Sequence, residues 1–67
     1  ADEMLALVRA EVGNLPKRCR QIFLMSRVDG LSHSEIADSL GLSVNTVGVQ
    51  LGIALKRLRS VTDRYLS

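Results

Sequence analysis

The stretch that decides the fold is Leu31–Leu58, LSHSEIADSLGLSVNTVGVQLGIALKRL. Two helical patterns lie in it, separated by Gly41-Leu42. The first opens on Ser32 and places Ile36, Ala37 and Leu40 on one face; the second opens on Ser43 and places Val47, Leu51, Ala54, Leu55 and Leu58 on one face. Ser32-His33-Ser34-Glu35 matches a capping box, in which each side chain satisfies the other residue's free N–H. Glu35 therefore reads as a structural residue, not a catalytic one. Two helices joined by a three- or four-residue turn containing glycine are the signature of a helix-turn-helix. In that motif the second helix lies in the major groove of DNA.

Working outward, the helical period recurs and no alternating strand pattern is present. Upstream, Pro16 opens a helix that runs to about Val28 and ends at Asp29-Gly30, because a missing N–H costs nothing in a first turn. Ile22, Phe23, Leu24 and Met25 make this helix apolar around most of its circumference, so it is expected to be central. Phe23, the only phenylalanine, is the leading core candidate. Cys19, one turn earlier, reads as a small buried or half-buried hydrophobe. A first helix over residues 2–12 carries Leu5, Val8 and Val12 on one stripe, widened by Met4 and Leu7. Asp2 and Glu3 suit its N-terminus, and Gly13-Asn14 suits a left-handed C-cap. The last helix continues its apolar series through Val61 and Tyr65 to about residue 64. At 1.5 Å per residue this is roughly 30 Å, longer than groove reading requires, so the end past Arg59 is expected to fray or to pack on the first helix or a partner. The expected fold is an all-α, compact four-helix domain containing a helix-turn-helix, in the winged-helix-like DNA-binding class without a wing.

Sixty-seven residues make one small domain, which buries only about 60% of its unfolded surface. One cysteine permits no internal disulfide and fits a reducing, intracellular setting. The longest apolar runs, Met4–Val8 and Ile22–Met25, are far below the ~18 residues that span a bilayer, and no secretory signal opens the chain. The expectation is a cytoplasmic location without membrane contact. The chain begins within a helical pattern, which suggests a fragment of something longer. The net charge of +2 is unevenly spread: −2 over residues 1–14, +3 over 15–30, −2 over 31–40 and +3 over 41–67. Positive charge flanking the motif is the footprint of a phosphate-backbone binder, although solvated helix surfaces carry such charge too. No paired carboxylates, nucleophile–base set, metal cluster or phosphate loop is present, so no enzyme and no cofactor are expected. His33, in an exposed first turn, has no companions spaced to complete a zinc site.

These residues resemble a known family. Leu15-Pro16, Arg20, Phe23, Leu24, Gly30, Leu31-Ser32, Glu35-Ile36-Ala37, Leu40-Gly41, Ser43, Thr46-Val47 and Ala54-Leu55-Lys56-Arg57-Leu58-Arg59 resemble region 4 of bacterial sigma factors. The nearest likeness is to the extracytoplasmic function group, in its iron-uptake branch. The resemblance spans about Leu15 to Arg59. It implies a four-helix domain whose last helix reads the promoter −35 element in double-stranded DNA, working within RNA polymerase against the β-subunit flap of the core enzyme, with an anti-sigma factor as a further implied partner.

On that reading the first turns of the fourth helix enter the groove. Ser43, Asn45 and Thr46 offer short polar groups and free N–H donors, and asparagine can pair with adenine. Ser32, Lys17, Arg18 and Arg20 are placed to grip phosphates, with an internal tether an equal alternative for Arg20. Lys56, Arg57 and Arg59 lie farther along, where cations complement a helix C-terminal half. Val44, Gly48, Val49, Gln50 and Ile53 complete the candidate DNA-facing set. Here the chain departs from the family. Gly48 stands where Lys, Arg or Glu is common, Gln50 where Arg or His is common, and Ile53 where Arg is common. The surface loses charge and gains Val49 and Ile53, which share a face. Three readings stay open: DNA reading through Asn45, Gln50 and methyl contacts from Val49; a protein-binding patch on Val49/Ile53, for an anti-sigma factor, a dimer mate or another domain of the same chain; or burial of both residues by unusual packing. A LuxR-type output domain, sharing the Glu-Ile-Ala and Ser-x-x-Thr-Val patterns, is a further alternative.

Overall fold

The computed structural model describes residues 2–66 and contains four helices: α1 (Asp2–Asn14), α2 (Lys17–Arg27), α3 (His33–Leu40) and α4 (Val44–Leu66). Among the described residues there is no strand, so there is no wing. The expected all-α architecture with a helix-turn-helix in α3–α4 is present. The Asp2 side chain, assigned above to a helix N-terminus, lies outside the described part.

α4 organises the molecule. It packs against each of the other three helices, and α2 and α3 also pack on each other. Twenty-three residues make it about 35 Å long, close to the longest dimension of the molecule, 38 Å. Its buried residues Val47, Leu51, Ala54, Leu58 and Val61 recur at three and four positions and form one stripe. The upper part of that stripe joins Ile22, Ile36 and Ala37 in one core cluster, edged by Met25, Leu31, Leu40 and Leu42. A second cluster joins Ala54 to Leu15 and Cys19.

Phe23 is a correction. Ile22, Ile36, Val47 and Cys19 are the fully buried side chains, while Phe23 is half-buried and packs against the edges of both clusters. α2 turns Cys19 and Ile22 directly at α4, which leaves Phe23 on the flank. The α1 stripe is also shallower than expected. Met4, Val8 and Val12 are half-buried, but Leu5 and Leu7 remain 49% and 45% exposed, because α1 rests chiefly along one side of α4. The end of α4 does not fray among the described residues. It is helical to Leu66, buries Val61 and packs on α1.

The helix ends explain the turns. Gly41 is left-handed at φ 68°, and Leu42 N–H reaches back to the Ala37 carbonyl at 2.9 Å, as in a Schellman ending. Leu42 then packs on the core. Gly30 is left-handed at φ 69°, with Leu31 N–H donating to the Met25 carbonyl at 3.0 Å. Gly13 and Asn14 behave otherwise. Neither adopts a positive φ; α1 runs through Asn14, and Leu15 N–H closes a tight turn on the Val12 carbonyl at 3.2 Å. Pro16 is the residue before α2, at φ −53° and ψ 146°. Its extended ψ stops α1 from continuing into α2.

Candidate nucleic-acid interface

The start of α4 is set by Ser43. Its Oγ accepts the Thr46 N–H at 3.1 Å and shares a hydrogen bond of 2.9 Å with Thr46 Oγ1. An N-cap of this kind satisfies one of the four free N–H groups of a helix start and fixes the direction in which α4 leaves the turn. α3 is anchored likewise. Ser32 Oγ accepts the Glu35 N–H at 3.1 Å, and Glu35 Oε1 accepts the Ser32 N–H at 2.9 Å, so the expected capping box is formed. The Ser32 N–H, followed by its hydroxyl, holds the Glu35 carboxyl below its ordinary value. Both serines thus spend side-chain capacity on the fold before any ligand arrives.

From these anchors α4 presents two opposite faces. Val47, Leu51, Ala54 and Leu58 point inward. Positions 45, 48, 49, 52, 53 and 56 follow the i, i+3, i+4, i+7 spacing of the opposite face. Asn45, Val49, Gly52, Ile53 and Lys56 are exposed there, and Gly48 is partly covered. Val49 is 56% exposed and Ile53 42%, so the reading that buries them in the core is wrong. Once Val47 and Leu51 fill the core, the helical period turns Val49 and Ile53 outward. No atom lies within 4 Å of the place a Cβ would take at Gly48 or Gly52; neither glycine is required by packing. Val44, 50% exposed, sits at the helix opening.

Gln50 is half-buried and off the outward face. Its backbone carbonyl accepts the Cys19 thiol at 3.3 Å, and burial pushes that thiol's pKa up. This contact, which spacing alone does not reveal, seats the first turn of α2 against the middle of α4. Lys17 and Arg18 belong to that turn and are exposed. Arg20 does not join them. Its Nη1 donates to the Gly13 carbonyl at 3.1 Å, tying α2 to the end of α1; of its two readings, the tether is the contact formed. Lys56 and Arg59 are exposed farther along α4, while Arg57 Nε pairs with Glu11 Oε2 of α1 at 3.2 Å. His33 is exposed, and among the described residues no group of three or more metal-capable side chains exists. Among the same residues, no helix is long and apolar enough to cross a membrane.

Sequence reasoning missed one further feature. Leu7, Ala10 and Glu11 of α1 face Val61, Arg64 and Tyr65 of α4 across a shallow groove. The signal was present in the apolar series that continues through Val61 and Tyr65, but the partner of that series was left open.

Comparison with known proteins bears directly on this arrangement. The family model "Sigma-70, region 4" matches residues 5–58, which contain the helix-turn-helix and all of the outward α4 face just described. The ferric citrate uptake sigma factor FecI of Escherichia coli (strain K12) is 42% identical over 45 residues, covering 67% of this chain and 26% of that protein. The chain thus spans about a quarter of the length of the curated relative it matches. No solved structure matches it. The match displaces the LuxR-type alternative, and the chain belongs to the sigma-70 region 4 family.

Proposed function

We propose that this chain is the −35-reading domain of an extracytoplasmic function sigma factor, one part of a longer cytoplasmic protein that directs RNA polymerase to promoters. Beyond family membership, one observation carries the reading. The α4 face that projects away from the core begins at a capped helix N-terminus and is open to solvent at Asn45, Val49 and Ile53. Helix N-termini favour phosphate, and the exposed Lys17 and Arg18 of α2 supply cations for backbone contact. Asn45, Thr46, Val49 and Ile53 are then the residues offered to base edges, with Ser43 and Ser32 near the backbone. Gln50 contributes less than expected from sequence, since it is half-buried and lies off the outward face. Polymerase core, through the β flap, and an anti-sigma factor are the proposed protein partners. A domain with few groove-facing cations binds weakly alone, and tethering within a larger assembly supplies the missing effective concentration.

Fluorescence anisotropy of the isolated chain with a −35-like duplex tests this. Roughly four phosphate contacts should cost about a hundredfold in affinity between about 50 and 200 mM salt. A chain that is helical by circular dichroism and binds no duplex even at low salt would transfer the α4 face to the second reading, a protein-binding surface. The exposure of Val49 and Ile53 is what keeps that reading open.

A further inference from the structure

From Asn45 to Ile53 the outward face of α4 carries no charge. Its composition is Asn45, Gly48, Val49, Gly52 and Ile53, and the first cation on it is Lys56. Each base pair shows a distinct pattern in the major groove. Guanine presents two acceptors, which an arginine or lysine satisfies. Adenine presents one donor and one acceptor, which an amide side chain satisfies. Thymine presents an apolar methyl group.

We infer that α4 selects A·T base pairs, taking adenine through Asn45 and the thymine C5-methyl through Val49 and Ile53. The inference rests on α4 being the groove helix, as proposed above, and names what that helix prefers. Val49 and Ile53 are exposed and one turn apart, about 5–6 Å along the helix. Base pairs repeat every 3.4 Å, so the two side chains fall within two base-pair steps of each other. Both are β-branched and stiff at χ1, so their methyl groups are held in place before DNA arrives. Gly48 and Gly52 put no polar group between them. A guanine beneath this surface loses water from its two acceptors and meets no donor, which is the costly case for a buried polar group. The cations of α2 contribute attraction to phosphate but carry no sequence information.

The test begins with selection from a randomised 20-base-pair duplex pool by the 67-residue chain at low salt, with folding checked by circular dichroism. Enriched duplexes should share a short run of A·T pairs. Replacing each thymine of that run with deoxyuridine removes only the methyl group. Two positions should then weaken binding about fourfold each, the effect of leaving one methyl-sized apolar group unburied. In Val49→Ala one of these losses should vanish, and in Ile53→Ala the other; both residues are exposed, so the fold is preserved. Asn45→Ala should relax the adenine preference about tenfold. Enrichment of G·C pairs, or indifference to deoxyuridine, would overturn the inference while leaving DNA reading intact. A folded chain that binds no duplex at all would overturn both.

Discussion

Gly48 lies inside α4, where glycine costs about 1 kcal/mol relative to alanine, yet open space surrounds the position of a Cβ there. Gly48→Ala is therefore expected to stabilise the fold by about 1 kcal/mol, a rise of roughly 4–8 °C in Tm for a domain of this size, measured by thermal circular dichroism. Gly48→Arg, which restores a side chain common in the family, should tighten duplex binding several-fold in anisotropy if α4 docks in the groove. Unchanged or weaker binding would place the helix differently. Glu35 supplies a pH prediction. Its carboxyl is held below its ordinary value of 4.5, first by the Ser32 N–H. A depressed folded-state pKa gives stability that is present above the unfolded value and is lost as pH falls through the folded one. Glu35→Gln should flatten the acid side of the stability profile, read from urea unfolding at about pH 7 and about pH 3. The Ser32/Glu35 box was legible in sequence because its physics spans four residues. The place of Phe23 was not, because burial on an all-round apolar helix depends on which side α4 crosses.

At the scale of elements, the turns at Gly30 and Gly41 were readable because each needs a positive φ that favours glycine. Gly13-Asn14 shows the limit of that logic. The same residue types end α1 without a left-handed residue, since Leu15 and Pro16 already force the chain out of the helix. The continuation of α4 past Arg59 was visible as periodicity, while its partner was not, because an apolar stripe does not name what covers it. α1 covers it, through Val61 and the Arg57–Glu11 pair. That pair is partly exposed and contributes at most about 1 kcal/mol, so apolar contact dominates. Deleting residues 60–67 should release α1. Hydrogen exchange should then approach unprotected rates in α1, while amides around Ile36 and Val47 keep their protection. Equal loss of protection everywhere would mean that α1 is required by the helix-turn-helix core.

For the molecule as a whole, the separation of tasks follows from one long helix. α4 buries five residues along one stripe, offers an uncharged face on the opposite side in its first half, and holds α1 with its second half. The charge blocks seen in sequence acquire roles only in three dimensions: the α2 cations Lys17 and Arg18 stay exposed, whereas Arg20 and Arg57 are drawn into internal ties. Basic residues that the sequence places on two segments flanking the motif thus divide into exposed and structural sets. The most direct test is a chemical-shift map of the isotope-labelled chain titrated with an A·T-containing −35-like duplex. The expected result is that the largest shifts fall on Asn45–Ile53 and on Lys17 and Arg18, with α1 unmoved. Shifts confined to the α1–α4 groove around Leu7 and Tyr65, or no shifts at all, would contradict the account.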